Sequence, residues 1–192
     1  MQLNLLLTSR NRAGSFHVPS LPFHDLASRH PGLTPPIASM TAEAAGVALD
    51  RHHESPQSLL IAGPAGRVQA EVSWGPIDDR MRRAWNNSVS RTENGALAIA
   101  IAAIELALGL VVVLRAETGS GADYYLAQMG GELGEPEDWL RLEISGTDEG
   151  DGKILAYRLV EKCRQARAGR CNLPTIACVV GFRQLEVRHV HV

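Results

Sequence analysis

The clearest pattern along the chain is a change of period at Gly109. From Glu93 to Leu108 apolar residues recur almost all round a helical wheel, the signature of a buried helix. After Gly109 the composition turns to Leu-Val-Val-Val-Leu, a β-branched run that predicts a buried strand over Leu110 to Arg115. Gly109 is the natural stop between the two. Ala96 to Leu114 approaches the length needed to span a bilayer. Glu105 in its middle, the break at Gly109 and the change of composition argue for a helix followed by a strand instead. Strict alternation marks two further strands. In Trp139–Ser145, Leu140, Leu142 and Ile144 face one way and Arg141, Glu143 and Ser145 the other. In Arg67–Trp74, Val68, Ala70, Val72 and Trp74 alternate with Gln69, Glu71 and Ser73, so this strand buries one face. The turn Gly63-Pro-Ala-Gly66 joins it to a strand over Gln57–Ala62 as a hairpin.

Weaker signals fill the rest. Thr41 to His53 reads as a helix with Thr41 as its N-cap, and Pro76 to Asn86 as a short helix begun by proline. Ala122–Gln128, Thr175–Gly181 and Gln184–Val190 read as strands, and Lys153–Arg167 as a basic helix. Prolines 19, 22, 31, 35 and 36 break up residues 1–40, where only the first seven residues suggest a strand. The second half thus runs helix, three strands, helix, two strands. This order predicts an α/β fold with a mixed central sheet flanked by helices. Residues 1–88 form an N-terminal α+β extension, and residues 89–192 the core.

Composition narrows the functional classes. With 45% apolar residues the chain can bury a core, and a net charge of −2 excludes a protein that grips long stretches of nucleic acid over its whole surface. Cys163, Cys171 and Cys178 have neither disulfide nor zinc spacing and read as free thiols of a reducing compartment. The N-terminus has no basic start and only a short apolar stretch, so a cytoplasmic location without membrane contact is expected. Charge is unevenly placed. Residues 117–151 hold ten acids against one base, whereas residues from Lys153 onward hold eight bases against two acids. An acidic rim beside a basic helix suits a metal site next to a phosphate track, and equally a helix that docks on an acidic partner protein.

Three acids are candidates for chemistry. Asp123 opens a strand after the turn Thr118-Gly-Ser-Gly121, Glu143 lies in the alternating strand, and Glu93 starts the apolar helix. Adjacent strands bearing one carboxylate each can hold a hard cation such as Mg²⁺, which accepts oxygen ligands and retains waters. Structural readings stand beside each. Ser90-Arg-Thr-Glu93 fits a capping box, Asp123 fits turn chemistry, and Glu143 can pair with Arg141. His52-His53 suits a helix C-terminus, and His189 and His191 suit the outward face of a terminal strand.

The segments Thr92-Glu-Asn-Gly-Ala96, Gly121-Ala-Asp-Tyr-Tyr125 and Arg141-Leu-Glu-Ile-Ser-Gly146, followed by the Lys/Arg/Gln helix, resemble the PD-(D/E)XK nuclease superfamily over residues 90–190. The resemblance implies a restriction-endonuclease-like core of helix, three strands, helix and strand. It matches Glu93 to the acid of the first helix, Asp123 to the acid of the second strand and Glu143 to the glutamate of Glu-X-Lys. The chain departs from the pattern in having no proline before Asp123 and Ser145 at the lysine position. Lys162 on the following helix, flanked by Arg158 and Gln165, is the candidate replacement. The implied activity is a Mg²⁺-dependent phosphodiesterase of a bacterial defence or DNA-processing kind. Asp123 and Glu143 would be its metal ligands, Glu93 and Lys162 further catalytic groups, and Arg158, Arg164 and Arg167 the nucleic-acid contacts; a homodimer is a further implication. Two other readings stay open. One is a degenerate nuclease fold acting as a binding or assembly module. The other is a toxin or immunity-type protein that meets its partner through the acidic segment 132–138.

Overall fold

Seven strands form one mixed sheet in the order β2-β1-β7-β6-β5-β4-β3. The computed structural model describes residues 18–130, 134–168 and 172–192. The strand expected in the first seven residues, Cys171 and part of the acidic segment 132–138 lie outside them. The strands are β1 (Gln57–Gly63), β2 (Gly66–Val72), β3 (Leu110–Arg115), β4 (Tyr124–Gln128), β5 (Leu140–Thr147), β6 (Thr175–Gly181) and β7 (Glu186–His191). The helices are α1 (Pro35–Asp50), α2 (Asp79–Ala84), α3 (Ser88–Leu108) and α4 (Gly152–Ala168). Neighbouring strands run antiparallel except for β1 with β7 and β5 with β6. The second parallel pair is joined by α4, the crossover that such a pair requires. The mixed sheet and its flanking helices agree with the α/β expectation.

Alternation decides which face of the sheet each residue serves. Leu142 and Ile144 of β5, Ile176, Cys178 and Val180 of β6 and Tyr124 and Leu126 of β4 belong to the main core, which α3 covers. Arg141, Glu143 and Ser145 therefore turn to the opposite face, where α4 packs on β5 and β6. Small residues bring the helices close. A side chain at Gly95 would meet the Ala45 backbone 3.0 Å away, where α1 crosses α3. A side chain at Gly146 would stand 2.8 Å from both the Ala96 Cβ and the Thr92 carbonyl, so α3 lies directly on β5 at that point. Gly109 has φ 67°, and its left-handed turn ends α3 one residue before β3 begins, where the change of period placed the stop.

Several element starts differ from the sequence expectation. Pro35 and Pro36 do not break α1; they occupy its first turn, where the missing N–H groups would be unbonded in any case. Thr41 is thus inside the helix, with its hydroxyl donating to the Ile37 and Ala38 carbonyls. Short helix α2 is capped by Asp78, whose side chain accepts from Met81 N, and does not begin at Pro76. His52 and His53 follow the end of α1 and serve tertiary contacts: His52 meets Asp148 at 2.8 Å and His53 donates to the Phe182 carbonyl. His189 does not face outward. It is 3% exposed, its ring lying over Gly63, and burial lowers its pKa.

Residues 19–32 run from one edge of the sheet to the other. At the β2 edge Leu21 N donates to the Glu71 carbonyl and Glu71 N donates to the Pro19 carbonyl. At the β3 edge Gly32 N donates to the Val112 carbonyl, and Val112 N donates to Nδ1 of His30. Since Nδ1 accepts, Nε2 carries the ring proton and donates to Glu105 Oε2 at 3.1 Å. Arg29 also bonds Glu105, at 2.6 Å, and the Pro22 carbonyl. Burial raises the Glu105 pKa, but the bonds from His30 and Arg29 outweigh it, and the net direction is downward. The acid that argued against a membrane helix is therefore a buried, paired carboxylate. No helix among the described residues is long and apolar enough to cross a membrane.

Candidate functional site

Asp123 lies one residue before the registered pair Tyr124–Leu142, so it stands beside Glu143 on the face opposite the main core. Its backbone N–H donates to the Leu142 carbonyl at 2.8 Å. Its Oδ2 accepts from Ile144 N at 2.7 Å, continuing the ladder where the β4 backbone leaves it. Burial raises the Asp123 pKa, the Ile144 N–H opposes this, and the neighbouring Glu143 carboxylate raises it further. Glu143 is buried, and its Oε1 receives Lys162 Nζ at 2.7 Å. Among the described residues, neither the other Asp123 oxygen nor the other Glu143 oxygen has a hydrogen-bond partner.

Glu143 does not pair with Arg141. That buried guanidinium donates to the carbonyls of Ser120, Ala166 and Leu173, and so fixes the Gly-rich turn, the end of α4 and the approach to β6. The capping-box reading of Glu93 also falls. Helix α3 begins at Ser88, and Asn87 caps it by accepting from Ser90 N. Glu93 is then an exposed side chain in the second turn that lines the cleft shared with Asp123. The contact between Gly146 and Thr92 sets how near it comes to β5.

That cleft has a volume of about 890 Å³ and is walled by α3, β5 and α4. It holds Glu93, Asp123, Ser145, Lys162, Arg158 and Arg115. A second cleft of about 520 Å³ follows the turn 117–122 and takes in Glu143 and Gln165; Arg115 and Asp123 line both. Arg158 reaches Ser145 Oγ at 3.3 Å. Arg164 is turned away and bonds Glu161, and neither it nor Arg167 lines the clefts. Arg115, unassigned by the sequence, enters the site because β3 pairs with β4 and sets it opposite Tyr124, with its guanidinium 6.0 Å from the ring centroid. Its position at the end of a buried strand was the only signal that could have found it.

The rim of the larger cleft is organised by Asp148, which accepts from His52 and from Arg91, a cation only 4% exposed. Burial raises the Asp148 pKa, but the bonds from His52 and Arg91 and the charge of Arg51 bring it below the usual value.

No protein-family model, curated protein or solved structure matches the chain. The site must therefore be judged from its own chemistry. Two carboxylates on one face of adjacent strands suit a hydrated Mg²⁺, which takes one or two carboxylates and keeps several waters. Among the described residues no group of three or more His, Cys, Asp or Glu side chains could hold a metal ion, so a closed structural cage is not present there. Of the described cysteines, Cys163 and Cys178 are free thiols that line neither cleft, and Cys178 is wholly buried, which pushes its pKa up to about 12.

Proposed function

We propose that the chain is a Mg²⁺-dependent phosphodiesterase acting on nucleic acid, a divergent PD-(D/E)XK protein. The observation that carries this reading is the contact of Lys162 with Glu143 at 2.7 Å, beside Asp123. A lysine supplied by α4 stands next to the carboxylate pair although the strand position of Glu-X-Lys is Ser145. The order α3, β3, β4, β5, α4, β6 supports the same reading, since it is the helix, three strands, helix and strand on which that superfamily is built.

The unbonded oxygens of Asp123 and Glu143 would hold the ion. When bound, Mg²⁺ would orient a water and neutralise charge developing on the phosphate. Glu93, on the opposite wall, would accept a hydrogen bond from a water held over the carboxylates. Lys162 would place its ammonium against a non-bridging phosphate oxygen as that oxygen gains charge. Arg158 would bind the phosphate and hold it in the cleft.

Incubation with single- and double-stranded DNA and RNA in Mg²⁺ or Mn²⁺ tests this. Cleavage that disappears in Asp123→Asn and Glu143→Gln supports it. A second reading, a binding module on a degenerate nuclease fold, is favoured by Ser145 and by the pairing of Glu143 with an internal cation. Absence of cleavage on all four substrates, together with no effect of metal on stability, selects that reading.

A further inference from the structure

We propose that Arg115 and Arg158 form a clamp for the phosphodiester backbone, and that the bound strand passes through both clefts across Asp123. The proposal rests on the nucleic-acid reading above and names the part of the site that grips the substrate.

Three observations carry it. First, the two clefts adjoin at Arg115 and Asp123, which line both, one cleft lying against the α3 wall and the other against the Gly-rich turn, and the two form a two-part trough. With volumes of about 890 and 520 Å³, together they suit a chain of nucleotides more than a single one. Second, the two arginines have donors to spare. The Arg115 side chain makes no hydrogen bond or ion pair among the described residues, only its approach to the Tyr124 ring, and the Arg158 side chain makes only the bond to Ser145 Oγ. Lys162, by contrast, is held by Glu143. The linings of the two clefts together carry four cations, Arg51, Arg115, Arg158 and Lys162, against six acids, Glu93, Glu117, Asp123, Glu143, Asp148 and Glu149, so the grip on phosphate comes from the placement of the two free guanidinium forks and not from a surplus of positive charge. Guanidinium forks are suited to phosphate oxygens, which they bind in pairs. Third, no aromatic side chain lines either cleft among the described residues. Without a stacking platform, affinity comes from the backbone and is indifferent to base sequence. The path runs from the α3 wall to the Gly-rich turn between Arg115 of β3 and Arg158 of α4, and does not follow the outer face of α4 that bears Arg164.

Binding of short labelled single-stranded and duplex DNA and RNA, measured in EDTA over a range of salt, tests the clamp without catalysis. Arg115→Ala and Arg158→Ala should each weaken binding roughly tenfold at low salt. Each should also make the slope of log K against log salt shallower by about 0.7 for single strands or 0.9 for duplex. Arg67→Ala, on the far edge strand β2, controls for net charge and should leave both quantities at the wild-type value. Asp123→Asn should bind more tightly, because a like charge is removed from the trough. Equal losses in Arg67→Ala and Arg115→Ala, wild-type behaviour of both clamp variants, or no binding at low salt would each overturn the clamp. Clamp-dependent binding with no cleavage in Mg²⁺ or Mn²⁺ would leave it standing and remove the phosphodiesterase reading. Cleavage with unchanged binding by both clamp variants would do the reverse.

Discussion

Lys162 Nζ sits 2.7 Å from Oε1 of Glu143, so an internal cation already occupies one side of the carboxylate that is proposed to ligate metal. A divalent ion at Glu143 must share that oxygen with the ammonium or turn the lysine toward substrate. Lys162→Ala should therefore remove cleavage while lowering the Mg²⁺ concentration that half-stabilises the fold. Thermal unfolding over a metal titration checks this, and an unchanged midpoint would show that the lysine and the ion do not compete.

Asp123 and Glu143 repel each other, and an ion held between them would relieve that repulsion. On the proposed function, Mg²⁺ would bind the native site alone, and a hundredfold excess over Kd should add about 2.7 kcal/mol. That is roughly 5–10 °C in Tm for a chain of this size. Asp123→Asn should lose the shift, as should Glu143→Gln. A shift that survives Asp123→Asn would place the ion elsewhere, for instance on the acids 148–151.

The pH dependence of stability should carry opposite signs at two places. Asp123 has a raised pKa, so its favourable contribution is complete below the unfolded value of 3.8 and is lost as pH rises through the folded value. Asp123→Asn keeps an acceptor for Ile144 N and should raise Tm by a few degrees at neutral pH without metal. Glu105 and Asp148 are lowered from 4.5 and 3.8, so their contributions are present above these values and are lost as pH falls through the folded pKa of each. Acid unfolding should steepen below pH 4.5, and removing either carboxylate should flatten it. Circular dichroism melts from pH 3 to 8 separate the two behaviours.

Asp148→Ala should destabilise the fold by about 2–4 kcal/mol, because the buried Arg91 loses its carboxylate. The loss should appear in urea unfolding as a lower midpoint with an unchanged slope. A change below about 0.5 kcal/mol, the level of an ordinary surface substitution, would refute the rim as an organising contact.

Gly146→Ala should separate α3 from β5. The added methyl would stand 2.8 Å from the Thr92 carbonyl, and such overpacking costs about 1–3 kcal/mol. Cleavage should fall more than metal binding does, since Glu93 moves away while Asp123 and Glu143 stay on their strands. Equal losses in both would argue against the role given to Glu93.

Local patterns were legible where one residue type decided the conformation. The Gly109 stop, the alternation of Val68, Ala70 and Val72, and the common face of Arg141, Glu143 and Ser145 all follow from period and turn chemistry. The two strand carboxylates could be set side by side because neighbouring strands share faces. What could not be read depends on distant partners. His30 meets Glu105 across 75 residues, and β7 joins β1 in parallel although 126 residues separate Leu60 from its partner Glu186. Asn87 and Ser90 are both good caps, and only packing selects the first. Pro35-Pro36 reads as a breaker or as a first turn with equal right. Arg115 joined the site through a strand pairing that no short motif encodes.

The strap of residues 19–32 has a consequence for self-association. The open edges of a sheet are the places where other chains can add as further strands. Here a single segment guards the outermost strands on both sides, at Glu71 and at Val112, and it is moored next to its β3 end by Arg29 and His30 to the carboxylate of Glu105. The two guards belong to one segment. Were it to lift from both edges, two templates would be uncovered at once, and a monomer able to recruit neighbours on both flanks could grow a filament, where one bare flank could make only a dimer.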